Sequence, residues 1–118
     1  MISPSDPRWR ESLVLFNERK YFESHEVLES LWLEVKGDPN RNLYKGVIQA
    51  AAALYQLRRG RHSGAVSLCA TSVKYLEAYA PEALGLDVGG LIREMRRAFG
   101  DGKKAEWDEA LAPRAAFR

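Results

Sequence analysis

Gly46-Val47-Ile48-Gln49-Ala50-Ala51-Ala52-Ala53-Leu54-Tyr55 is apolar or small on almost every side. A helix that is apolar all round is a buried helix, and small side chains let neighbouring backbones come close. Gln49 is the only strongly polar side chain from Gly46 to Ala53. The stretch is therefore read as the centre of a buried helix over about residues 41–59, stopped at Gly60. The chain on either side supplies its neighbours. A helix over about residues 21–36 ends at Gly37-Asp38-Pro39-Asn40, where Gly37 suits a left-handed cap. Another starts near Ser63 and ends before Pro81. Short loops join both to the central helix, so both are expected to run antiparallel to it.

Further out, Asp6 followed by Pro7 reads as an N-cap with proline at the first helical position. It opens a helix to about Arg19, with Trp9, Leu13 and Phe16 at helical spacing and Leu15 nearby. Residues 80–86 read as a connector. Asp87 caps a shorter fifth helix through Phe99, which Gly100-Asp101-Gly102 closes. Beyond Lys103 one more short helix or a frayed tail is expected. No strand-like alternation, internal repeat or low-complexity segment is visible. The expected fold is all-α: one domain over residues 1–118, an antiparallel bundle of four main helices with one or two short C-terminal ones.

The bulk properties agree with this. One domain is the ordinary reading of 118 residues, enough to bury a core without staples. A net charge of +2 is mildly basic, too little to imply nucleic acid by itself, so a nucleic-acid partner is not expected. The single cysteine, Cys69, cannot form an intrachain disulfide, which fits a reducing compartment. Residues 1–7 lack the basic region and apolar run of a secretion signal, and no apolar run would span a bilayer. The expected location is the cytoplasm, away from membranes.

The second helix carries the chemistry. Tyr21-Phe22-Glu23-Ser24-His25-Glu26-Val27-Leu28-Glu29-Ser30-Leu31-Trp32 puts a histidine and two carboxylates into a core-facing pattern. His25 and Glu29 are four apart and share a face. His25 also shares a face with Leu28 and Trp32, so partial burial is expected. Glu29 and Glu26 lie towards Phe22 and Leu33. Across the interface, Gln49 is the natural partner, with Tyr55 and Gln56 weaker ones. Buried polar groups need partners or a purpose. In one reading His25, Glu29 and Gln49 form a network that sets helix register. In the other, His25, Glu26 and Glu29 hold a divalent metal such as Zn, Mn or Fe, or do acid–base work. The zincin motif His-Glu-x-x-His is absent, because Glu29 stands at its last position. The di-metal motif Glu-x-x-His is absent too, because Phe22 precedes His25 by three. A mononuclear site would need ligands from other helices or a second subunit.

Phe16-Asn17, Tyr21 through Glu29, Trp32, Gly46 through Tyr55, Arg59-Gly60 and Gly64-Ala65 together resemble the family called domain of unknown function 309. Its pattern is an aromatic-Glu-x-His-Glu-x-Leu-Glu segment, a Gly-(Leu/Val)-Ile-Gln segment, an Arg-Gly and a Gly-Ala. The likeness covers roughly residues 9–80, leaving 81–118 as a helical extension. It implies a small all-helical domain of bacteria, archaea or plastids and brings no established activity. It also implies that His25, Glu26, Glu29 and Gln49 are hallmark polar positions. Gln56 departs from the pattern, since many members carry histidine there. If that histidine is a ligand elsewhere, its loss counts against a metal role here.

Other features have plainer readings. Arg58, Arg59 and Arg61 at a helix–helix turn could hold phosphate, although cations also favour a helix C-terminus. Arg93, Arg96 and Arg97 alternate with Leu91, Ile92 and Met95, as on an amphipathic surface helix. Cys69 reads as a buried structural residue. Ser24 and Ser30 flank the cluster without a third group for a triad. Trp9, Trp32 and Trp107 read as core or interface anchors. Three functions follow, of which the first leads. The domain is a non-catalytic structural or interaction module that self-associates or docks on a protein partner. Alternatively, it is a metal-dependent hydrolase using His25, Glu26 and Glu29, with Gln49 orienting water or substrate. The third is a phosphate or nucleic-acid binder through Arg58, Arg59 and Arg61.

Overall fold

The computed structural model describes residues 6–100 and 105–117. Its elements are α1 (Pro7–Asn17), α2 (Tyr21–Glu34), α3 (Arg41–Arg58), α4 (His62–Glu77), β1 (Glu82–Ala83), β2 (Leu86–Asp87) and α5 (Val88–Phe99). A single 3-10 turn follows at Glu109–Leu111. The chain is an all-α bundle, 42 × 25 × 23 Å along its principal axes. Among the described residues no helix is long and apolar enough to cross a membrane.

Local chemistry sets most boundaries. The Asp6 carboxylate accepts the Arg8 backbone N–H at 2.9 Å, and Pro7 occupies the first turn, where no N–H is needed. α1 ends two residues earlier than expected because Arg19 takes the left-handed conformation at φ +63°. The Lys20 N–H then reaches the Leu15 carbonyl at 2.9 Å, closing a glycine-style cap without a glycine. Gly60, at φ +78°, does the same for α3, with the Arg61 N–H on the Gln56 carbonyl at 2.9 Å. Asp87 caps α5 by accepting the Gly90 N–H at 2.9 Å. α5 then buries Val88, Leu91, Ile92, Met95 and Phe99 along one stripe.

α3 is the central element, packed between α2 and α4. It buries Leu43, Tyr44, Val47, Ile48, Ala50, Ala51, Ala53, Leu54 and Leu57. Gly46 sets the approach of α4. A Cβ there would lie 2.8 Å from Leu76 Cδ2 and 2.9 Å from its Cγ. The same closeness lets the buried Ser72 hydroxyl donate to the Gly46 carbonyl at 2.7 Å. The three tryptophans divide by burial. Trp9 is in the core and donates to the Leu84 carbonyl at 2.9 Å, while Trp32 and Trp107 pack against it partly exposed.

Two expectations are corrected. Residues 80–86 are not a plain connector, and strand structure is present. β1 and β2 pair antiparallel, Glu82 opposite Asp87 and Ala83 opposite Leu86, around Leu84 at φ +49° and Gly85 at φ +80°. Two-residue strands are too short to show alternation. Beyond Lys103 the expected short helix is a single 3-10 turn, and the described part is not a frayed tail. After the 3-10 turn it runs extended as a strap, with Phe117 bridging Leu86 and Asp87 donating its N–H to the Ala116 carbonyl at 2.9 Å. Asn17 of α1 holds Ala115 at both ends of its side-chain amide, at 3.0 and 2.8 Å. The expected stop at Asp101-Gly102 and the reading of residues 1–5 lie outside the described residues.

Candidate functional site

α2 turns Tyr21, Ser24, Leu28 and Leu31 into the core. Residues one step round the helix therefore lie on its flank, facing the seam with α3. The antiparallel register is marked at two points. Phe22 packs on Tyr55 with ring centroids 5.6 Å apart, and the Lys45 ammonium lies 4.4 Å from the centre of the Trp32 ring. Between these points lie His25, Glu29, Gln49 and Ala52.

His25 Nε2 lies 3.1 Å from Glu29 Oε2, as the four-residue spacing requires. The His25 side chain is 30% exposed and that of Glu29 46%, so the pair is open to solvent rather than sealed. Glu26 is exposed and makes no hydrogen bond or ion pair among the described residues. Gln49 lies on the facing helix, partly exposed, but its Oε1 is buried without a hydrogen-bond partner. It thus does not close a network with His25 and Glu29 through that oxygen. Among the described residues no three His, Cys, Asp or Glu side chains converge closely enough to hold a metal ion. His25 and Glu29 offer two such groups.

Beside His25 a cleft of about 150 Å³ opens, lined by Tyr21, Phe22, His25, Ala52, Tyr55 and Gln56. Its walls are mostly aromatic, and the Phe22 ring lies 6.3 Å from the His25 ring. Burial pushes the Tyr21 phenol up to about 12, so it is neutral at ordinary pH. Phe22 and Leu33 stay 47% and 55% exposed on the outer face of α2, with Glu26 between them. At the far end of the seam Trp32 carries the Arg41 guanidinium 3.9 Å from its ring centre. The sequence already places Phe22 beside the cluster and Tyr55 and Gln56 across the interface; that these residues leave a cleft with Ala52 as part of its wall is not read from it.

The buried polar atoms have an uneven distribution. Among the described residues, four buried side-chain polar atoms have no partner: Tyr21 Oη, Trp32 Nε1, Gln49 Oε1 and Gln56 Oε1. All four belong to α2 or α3. Other groups near the seam are occupied. Ser24 donates to the Ser12 carbonyl at 2.8 Å, and Ser30 to the Val27 carbonyl at 2.7 Å. Cys69 is buried on α4, and burial lifts its thiol to about 11.

The three arginines of the α3–α4 turn go to different places. Arg58 donates to the Arg19 carbonyl at 2.9 Å and lies over the rings of Tyr21 and Trp107, at 4.9 and 5.6 Å. Arg59 donates to the Tyr55 hydroxyl at 3.2 Å. Arg61 is exposed.

The family model described as a domain of unknown function (DUF309) matches residues 9–68, which contain α2, α3 and every residue of the seam. The chain is similar to the uncharacterized protein YpuF of Bacillus subtilis (strain 168), 42% identical over 83 residues, which are 69% of this chain and 48% of that protein. It is also similar to an uncharacterized protein of Aquifex aeolicus (strain VF5), 33% identical over 57 residues, 48% of this chain and 17% of that one. The chain thus spans about half the length of one relative and much less of the other. No solved structure matches it. The family match takes in half of the chain together with both halves of the seam, and the protein belongs to the DUF309 family.

Proposed function

We propose that this domain is a non-catalytic recognition module and that the α2–α3 seam around His25, Glu26, Glu29 and Gln49 is its contact surface. The observation that carries the proposal is the concentration of unpaired buried polar atoms on α2 and α3. Leaving such a group unpaired costs about 1–3 kcal/mol, so folding alone favours apolar residues at these positions. Gln49 and Gln56 are both partly exposed, and a side-chain rotation presents either amide to the seam. Phe22 and Leu33 supply apolar anchors beside them. The two hydroxyls that flank the cluster, Ser24 and Ser30, both donate to backbone carbonyls, which disfavours either as a nucleophile.

Thermal unfolding of Gln49→Leu and Gln56→Leu tests this reading. A surface kept polar for a partner predicts that each variant holds or raises the midpoint, by up to roughly 4–8 °C for each kcal/mol gained. A register-setting network predicts a fall instead. The same assay addresses metal. After chelator treatment, added Zn²⁺, Mn²⁺ or Fe²⁺ is expected to leave the wild-type midpoint in place. A rise that Glu29→Ala abolishes would make the cluster a metal site and sink the recognition reading.

A further inference from the structure

We infer that the cleft between α5 and the C-terminal strap is a binding site for a phosphate-type oxyanion, held by Arg93, Arg97 and Arg114. The cleft is open, has a volume of about 320 Å³, and is lined by Asp87, Gly90, Arg93, Glu94, Arg97 and Arg114. Arg93 and Arg97 are four apart on α5 and share a face. Like charges at that spacing destabilise a helix unless something lies between them. The strap then adds a third guanidinium to the same cleft. Glu94 positions it by accepting the Arg114 backbone N–H at 2.7 Å.

Of the four carboxylate oxygens in the cleft, three are engaged among the described residues and Asp87 Oδ2 is left. Glu94 Oε1 takes the Arg114 N–H, and its Oε2 lies 3.3 Å from Arg97 Nη2. Asp87 Oδ1 takes the Gly90 N–H at the start of α5. Among the described residues the Arg93 and Arg114 side chains make no hydrogen bond or ion pair. The cleft thus has a large surplus of N–H donors and almost no acceptor left to meet them. A tetrahedral oxyanion supplies acceptors in the arrangement that guanidinium forks match bidentately. The openness of the cleft leaves room for a small ester substituent. It also keeps the site wet, so binding is modest and weakens with salt.

Arginine Nε–Hε NMR spectra of the whole chain test the site, with inorganic phosphate and glycerol 3-phosphate added at constant ionic strength. The expected result is saturable movement of the Arg93, Arg97 and Arg114 signals in the low millimolar range, ~1–5 mM. Arg93→Gln and Arg114→Gln should each weaken binding by about tenfold or more. Lys74→Gln, an exposed change on α4, should leave it unaltered, and unchanged amide spectra show that each variant folds. Tighter binding of the ester identifies a phosphomonoester site, and equal or tighter binding of phosphate a site for the free ion. Linear drift without saturation, identical behaviour of all variants, or saturation at Arg58, Arg59 and Arg61 instead would overturn the assignment.

Discussion

Arg8 shows how much one side chain can set. Its guanidinium meets Glu34 Oε2 at 2.6 Å and Asp6 Oδ2 at 3.3 Å, tying the start of α1 to the end of α2. Hydrogen bonds from Arg8 hold the carboxyls of Asp6 and Glu34 below the ordinary carboxylate range. Their folded-state values lie below the unfolded ones, so their contribution is complete above about pH 4 and is lost as pH falls through the folded values. Acid unfolding should therefore be shallower in Arg8→Gln. Melting midpoints of wild type and variant should differ most at neutral pH and converge as pH falls through the folded values. A constant gap across that range would mean that Arg8 acts through packing alone. The candidate site was only partly legible at this scale. The His25–Glu29 pair follows from spacing alone. Whether the Gln49 oxygen faces a partner depends on the height and rotation of two packed helices, which no single stretch encodes.

Elements were legible where their ends carry local chemistry and illegible where they do not. Asp6-Pro7, Gly60 and Asp87 each act within a few residues of their own position, and the helices begin or stop there. Arg19 caps α1 in a glycine-like conformation without being glycine, so that boundary was missed. The α3–α4 pair shows the same principle in packing, and it yields a test by contrast. Gly46→Ala puts a methyl against the Cγ of Leu76, which is fully buried and cannot swing aside. Overpacking of this kind costs roughly 1–3 kcal/mol, against about 1 kcal/mol gained in helix propensity. Gly64→Ala makes the same chemical change at an exposed position of α4, where a Cβ meets nothing within 4 Å. Denaturant unfolding should find Gly46→Ala destabilised and Gly64→Ala neutral to stabilised by roughly 0.5–1 kcal/mol. If Gly46→Ala proved as stable as wild type, close approach would not be the reason for glycine there.

At the scale of the whole molecule, α1 and the C-terminal strap are fastened together. Asn17 and Ala115 are 98 residues apart, and Asn17 both donates to and accepts from Ala115. The strap continues from there onto β2, with Arg10 lying 3.9 Å over the Phe117 ring. Nothing near residues 112–117 announces this, because the partner lies in α1. The segment that leads into the strap brings Trp107 edge-on to Tyr21, with ring centroids 5.8 Å apart, so it reaches one wall of the seam cleft. The strap itself carries Arg114 to α5, so its docking bears on that cleft directly and on the seam cleft through the segment before it. Asn17→Ala removes both bonds and leaves the N–H and C=O of Ala115 without their protein partner, at a cost of about 1–3 kcal/mol. The α1–α5 core keeps its burial, so that loss should fall on the strap. Limited trypsin digestion should then cut the variant after Arg114 much faster than wild type. Amide exchange in α3 should be unaltered. If exchange quickened throughout the bundle by the same free energy, the strap would belong to the single cooperative unit, and its release would unfold the helices that form the seam.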